Sequence, residues 1–158
     1  YRLFAVDGSS FCISRNSNDE KTYIKNGEDS KGYNLIHLNA LYDLENRIYV
    51  GALIQNGRES NEKQALIDIV KKSNVEGKVI VIGDRNYESY NIFENVKEKN
   101  WNYVIRLKDI ESTGISSSLV LPKTEIFDEE INLLMTRRQT KEIKNNRKKW
   151  DYWQTTHK

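Results

Sequence analysis

Asp7 and Asp84 each close a run of apolar residues. Leu3-Phe4-Ala5-Val6 leads into the first and Val79-Ile80-Val81-Ile82-Gly83 into the second, so both read as buried strands that finish on a carboxylate. If two such strands lie side by side and parallel, the carboxylates meet at one edge of the sheet. That pairing suits a hard divalent cation, because Mg²⁺ is usually held by one or two carboxylates plus water and phosphate oxygens. Metal-assisted phosphodiester chemistry is the reaction such a pair points to. Aspartate at a strand end also has a plain structural use, as the cap of the turn or helix that follows.

The elements that must position these residues are legible in outline. The 158 residues allow one domain with a sizeable core. Residues 3–14 read as a strand that turns around Asp7-Gly8-Ser9-Ser10 into a second short strand at 11–14. Residues 15–31 are polar and read as a loop. Tyr33 to Tyr42 alternates, with Leu35, His37, Asn39 and Leu41 on one side. Asp43-Leu44-Glu45-Asn46 turns, and Arg47 to Gln55 returns, which is a hairpin. A helix follows, capped by Ser60, with Glu62 and Lys63 in its first turn and Ala65, Leu66, Ile69 and Val70 on its apolar face. After the strand ending at Asp84 come a second helix over about 88–99 and a third apolar strand from Trp101 to Leu107, leading to Arg106 and Lys108. Helices between strands imply right-handed parallel crossovers and a mixed sheet with an antiparallel side.

Beyond Asp109 the character changes. Ser112 to Ser118 is a linker of small residues, and Glu130 to Thr136 is strand-like. The division expected is a core over 1–110 and the start of a β-rich insertion with a basic tail over 111–158.

Charge is unevenly spread. From Thr136 to Lys158 the chain carries +6, and since the whole carries +2, the part before it carries −4. A basic tail attracts a polyanion through counterion release, although such a run is also what a solvated face looks like. Trp150, Tyr152 and Trp153 beside it could stack on exposed bases. The lone Cys12 excludes an internal disulfide, fits a reducing cytoplasm, and reads as a small core residue between Phe11 and Ile13. With one cysteine and two histidines, His37 and His157, no structural zinc centre is expected. No signal peptide is recognisable and no apolar run approaches a membrane span.

Strand, hairpin, helix, strand, helix, strand resembles the RNase H-like fold, an α/β fold in which the first and fourth strands are adjacent and parallel and each carries an active-site Asp. The neighbourhoods of both residues are similar to the DDE transposases of bacterial insertion sequences, in the group named after insertion sequence four. Five segments carry the resemblance in order: Phe4-Ala5-Val6-Asp7-Gly8-Ser9; His37-Leu38-Asn39-Ala40-Leu41-Tyr42-Asp43-Leu44; Gly83-Asp84-Arg85-Asn86-Tyr87; Tyr103-Val104-Ile105-Arg106-Leu107-Lys108; and Leu133-Leu134-Met135-Thr136-Arg137-Arg138. Two departures are Asn86, where the family often has Gly, and Gly51, near which it often has an acidic residue.

The resemblance implies Mg²⁺, or Mn²⁺ in its place, as a pair of ions bound by Asp7, Asp84 and a Glu. Asp7 would lie between the ions and Asp84 on one of them. Water and then a freed 3′-hydroxyl would attack phosphorus. Arg85, Arg106 and Lys108, with Arg137 and Arg138 of the insertion, would contact double-stranded DNA at transposon ends and target. Tyr87 reads as a packing residue, and His37, remote in sequence from both aspartates, as a hydrogen-bonded strand residue. The family's Glu lies in a Tyr-x2-Arg-x3-Glu-x6-Lys signature that residues 1–158 lack, so it is expected past Lys158. The 158 residues, which begin at Tyr1 like a segment cut from something longer, are then a C-terminally truncated piece without strand-transfer activity of its own. A homodimer of the full-length protein and a bacterial cytoplasmic, nucleoid-associated location follow from the same resemblance. The alternatives are a non-catalytic DNA-binding remnant and another RNase H-like nuclease.

Overall fold

The computed structural model describes residues 1–122, 124, 126–136 and 154–155. A mixed sheet forms from β1 (Arg2–Ile13), β2 (Tyr23–Ile24), β3 (Tyr33–Asp43), β4 (Ile48–Asn56), β5 (Val79–Gly83) and β6 (Asn102–Ile105). Two helices, α1 (Glu62–Lys72) and α2 (Tyr90–Glu98), join its parallel strands. The order across the sheet is β2-β3-β1-β5-β6, with β4 also along β3. β1, β3 and β4 pair antiparallel, while β1–β5 and β5–β6 are parallel. This is the mixed α/β architecture expected from the order of elements.

The first strand does not turn at Asp7. It runs unbroken for twelve residues, because β3 pairs with it all the way from Phe4↔Asp43 to Ile13↔Asn34. Cys12, expected in the core, is exposed on this extension. The polar loop after it contains β2, tied down by the buried Asn34. That side chain accepts from the Asn16 N–H at 2.7 Å and donates to Asn16 O and Thr22 Oγ1 at 2.9 and 2.8 Å.

Helix α1 is capped by Asn61, not Ser60: the Asn61 side chain accepts from the Gln64 N–H. Ala65, Leu66, Ile69 and Val70 are buried as the periodicity requires. They close a core with Phe4, Val6, Leu41, Val79, Val81 and Ile92, and burying each large aliphatic group contributes roughly 1.5–3 kcal/mol. Gly51 lies where α1 crosses β4, and a Cβ there would come within 2.5 Å of Ile69 Cγ2. A side chain there, acidic included, would require the Ile69 side chain to move.

The second helix begins later than expected, at Tyr90, because a 3-10 turn over Arg85–Tyr87 comes first. Of the strand-like 130–136 segment only β7 (Met135–Thr136) is a strand, paired with β8 (Gln154–Thr155). Among the described residues no helix is long and apolar enough to cross a membrane.

Candidate functional site

The parallel ladder between β1 and β5 matches Arg2 with Val79 and Ala5 with Ile82, a constant offset of 77. Carried two residues further, that offset sets Asp7 opposite Asp84. The ladder between β5 and β6 has an offset of 22, from Ile80↔Asn102 to Gly83↔Ile105, and one residue more sets Asp84 opposite Arg106. At the level where β5 and β6 end, three neighbouring segments therefore present carboxylate, carboxylate and guanidinium in a row, with Asp7 inside β1, which runs on past this level. All three residues are exposed.

Each aspartate uses one oxygen locally. Asp7 Oδ1 accepts from the Gly8 N–H at 2.8 Å, and Asp84 Oδ1 accepts from the Asn86 N–H at 2.9 Å, capping the 3-10 turn. The capping use of Asp84 is thus real, and it leaves Oδ2 available. Among the described residues neither Oδ2 has a protein partner. Exposed carboxylate oxygens with spare lone pairs at an open edge suit a hard cation that keeps much of its water.

The remaining expected residues divide. Arg85 follows Asp84 directly and is exposed. Lys108 lies on the segment leaving β6, fixed by the buried Glu88, whose Oε2 accepts from the Lys108 N–H at 2.8 Å. The other Glu88 oxygen accepts from the Ile115 N–H, and Lys63 Nζ donates to the Glu88 carbonyl at 2.9 Å. Burial, with the Lys108 charge, lowers the Lys63 pKa, and Glu88 opposes this. Lys63 therefore belongs to the same positive margin as Lys108. Arg137, Arg138, Trp150, Tyr152 and Trp153 lie outside the described residues.

Two residues close to this edge were legible only as structural. Tyr87 is fully buried, as a packing residue should be, yet its hydroxyl has no hydrogen-bond partner. Burial, and then the charges of Glu62, Asp7 and Asp84, raise its pKa far above that of an ordinary phenol. His37 is a strand residue with a hydrogen bond, Nδ1 to Ser10 Oγ at 3.0 Å, but its Nε2 also lies 2.9 Å from Glu62 Oε1. That approach lacks hydrogen-bond alignment, so buried Nε2 has no aligned partner.

Glu62 is the residue the sequence reading passed over. The side-chain amide of Asn86 donates to Glu62 Oε2, and Oε1 lies over Gly8. A Cβ on Gly8 would stand 2.5 Å from that oxygen and 2.6 Å from His37 Nε2. The available signal was topological. A helix of 11 residues spans about 16 Å and runs back along a crossover to the start of β5, so α1 begins at the edge where β5 ends.

A family model described as a transposase DDE domain matches residues 1–156 of the chain. No curated protein matches it.

Proposed function

This chain belongs to the transposase DDE domain family, and we propose that Asp7 and Asp84 are its metal-holding carboxylates in DNA cleavage and strand transfer. The family as a whole consists of DNA-cutting enzymes that depend on divalent metal. The observation that carries the finer reading is the shared 77-residue offset, which brings Asp7, inside β1, and Asp84, just past the end of β5, to one level of adjacent parallel strands.

Divalent cations, when bound, neutralise charge that develops on the phosphoryl oxygens. The chain's own residues supply the seat and the margin around it. Asp7 and Asp84 offer their free oxygens. Arg106 and Lys108, on the same side of the sheet edge, hold a DNA phosphate, the guanidinium by a two-pronged contact and the ammonium as a point charge. Arg85 adds a further positive group beside Asp84, and Arg137 and Arg138 extend the contact to the transposon end. The third carboxylate of the family signature, Tyr-x2-Arg-x3-Glu-x6-Lys, does not occur in residues 1–158. These residues alone are therefore a DNA- and metal-binding part of a transposase of the insertion-sequence-four group, without strand transfer of their own.

The test combines metal and DNA. Mn²⁺ titrated into the chain should bind, and Asp7→Asn or Asp84→Asn should weaken that binding at least tenfold. Duplex DNA should bind in a salt-dependent way, and Arg106→Ala with Lys108→Ala should flatten the slope of log affinity against log salt by about 2. Efficient strand transfer by residues 1–158 alone would overturn the assignment of a missing third carboxylate. Undiminished Mn²⁺ binding in both aspartate variants would overturn the site.

A further inference from the structure

Asp7 inside β1 and Asp84 just past β5 share this edge with a third carboxylate that comes from a helix. Glu62 arrives from the helix side, with one oxygen hydrogen-bonded by the Asn86 amide and the other 2.9 Å from His37 Nε2. Asn86 is two residues past Asp84, and the Gly8 backbone over which Glu62 Oε1 lies is one residue past Asp7. Glu62 thus bridges the two segments that carry the aspartates.

Two buried polar atoms lack aligned partners: Tyr87 Oη, on a residue 1% exposed, and His37 Nε2, on a residue 7% exposed and 2.9 Å from Glu62 Oε1. Tyr87 is within electrostatic reach of Glu62, Asp7 and Asp84 together. A buried donor without an acceptor is costly, and native proteins resolve such cases with an ordered water or ion. The carboxylates themselves do not converge: among the described residues no three His, Cys, Asp or Glu side chains close on one point that could hold a metal. Glu62 is therefore joined to the segments beside Asp7 and Asp84 without completing a three-carboxylate site.

We propose that Glu62 is a positioning residue for the metal, accepting a hydrogen bond from a water in the hydration shell of the cation at Asp7 and Asp84, with Tyr87 Oη completing that water's seat. Mg²⁺ dehydrates reluctantly and keeps several waters, so a carboxylate that reads the hydration shell adds to affinity without displacing a ligand. The His37 and Asn86 contacts fix the orientation of Glu62 before the ion arrives. Asn86 replaces the family's frequent Gly, so this anchoring belongs to the present sequence. The inference rests on Asp7 and Asp84 being the metal-holding pair.

The experiment is Mn²⁺ binding by the chain, followed by electron paramagnetic resonance for affinity and by water-proton relaxation for the number of coordinated waters. Glu62→Gln should weaken Mn²⁺ binding about tenfold and leave the number of coordinated waters unchanged. Tyr87→Phe should weaken it severalfold. Glu59→Gln, in the turn before α1, should leave it as it was and so control for loss of a negative charge. Circular dichroism of each variant confirms that the fold persists. If Asp7→Asn removes binding while Glu62→Gln leaves it unaltered, the inference falls and the metal pair stands. A gain of one coordinated water in Glu62→Gln would make Glu62 a direct ligand and overturn the water-mediated role. Absence of Mn²⁺ binding by the unaltered chain would overturn both.

Discussion

Glu88 and Lys108 are joined through the backbone, the Lys108 N–H donating to Glu88 Oε2 at 2.8 Å. With the second oxygen on the Ile115 N–H, one buried carboxylate fixes both ends of the segment that leaves β6. Removing it takes the acceptor from the part-buried Lys108 N–H and loses the bond to the Ile115 N–H. Glu88→Ala is expected to destabilise the fold by roughly 1–3 kcal/mol in urea unfolding. Amide exchange should quicken at Lys108 and Ile115 before it does in β1.

Asp84 has two uses that substitution can separate. Its Oδ1 caps the 3-10 turn, and its free oxygen is assigned to the metal. Asparagine caps as well as aspartate, whereas alanine loses roughly 0.5–2 kcal/mol of cap energy. Asp84→Asn and Asp84→Ala should lose Mn²⁺ alike, but only the alanine variant should lose thermal stability. Equal melting temperatures with unequal metal binding would invert this assignment.

Tyr87 gives a pH prediction whose sign is fixed by its environment. Burial, then the charges of Glu62, Asp7 and Asp84, raise its folded pKa above the unfolded value of 10.0. Above pH 10 the unfolded chain therefore releases a proton that the folded chain keeps, and folding stability falls as pH rises. Tyr103, raised by burial and by Glu94, adds in the same direction. Of the nine tyrosines, these two should fail to develop phenolate absorbance near pH 10 until the protein unfolds. Tyr87→Phe should remove one of them and reduce the alkaline loss of stability.

Much of this was written in the local pattern. The strand that runs into Asp84, the hairpin around Asp43 and the apolar face of α1 each depend on residues close in sequence, where period and turn chemistry decide the outcome. What escaped depends on pairing across long intervals. Whether β1 turns at Gly8 or runs on to Ile13 is decided by β3, more than twenty residues later in the chain. The helix cap fell to Asn61 because its own N–H is held by Gln55 Oε1 at 2.9 Å, a contact no local rule contains. Glu62 read as an ordinary first-turn acid, since nothing near it in sequence reveals His37 or Asn86.

Gly8 offers the sharpest test of how Glu62 is held. Its backbone is not in the left-handed region, so alanine there carries no conformational penalty of its own. The added Cβ meets instead the tip of Glu62, at 2.5 Å from Oε1, and His37 Nε2 at 2.6 Å. A flexible carboxylate can retreat from a methyl group at little cost, so Gly8→Ala should change stability by less than about 1.5 kcal/mol. The retreat breaks the contact with His37 and takes Glu62 away from the strand ends. Mn²⁺ affinity should then fall about as far as in Glu62→Gln. Because both substitutions remove the same interaction, the double variant should bind Mn²⁺ no more weakly than Glu62→Gln alone. Additive losses would mean that Gly8 acts on the metal through Asp7, its neighbour in the chain, and that Glu62 acts independently of it.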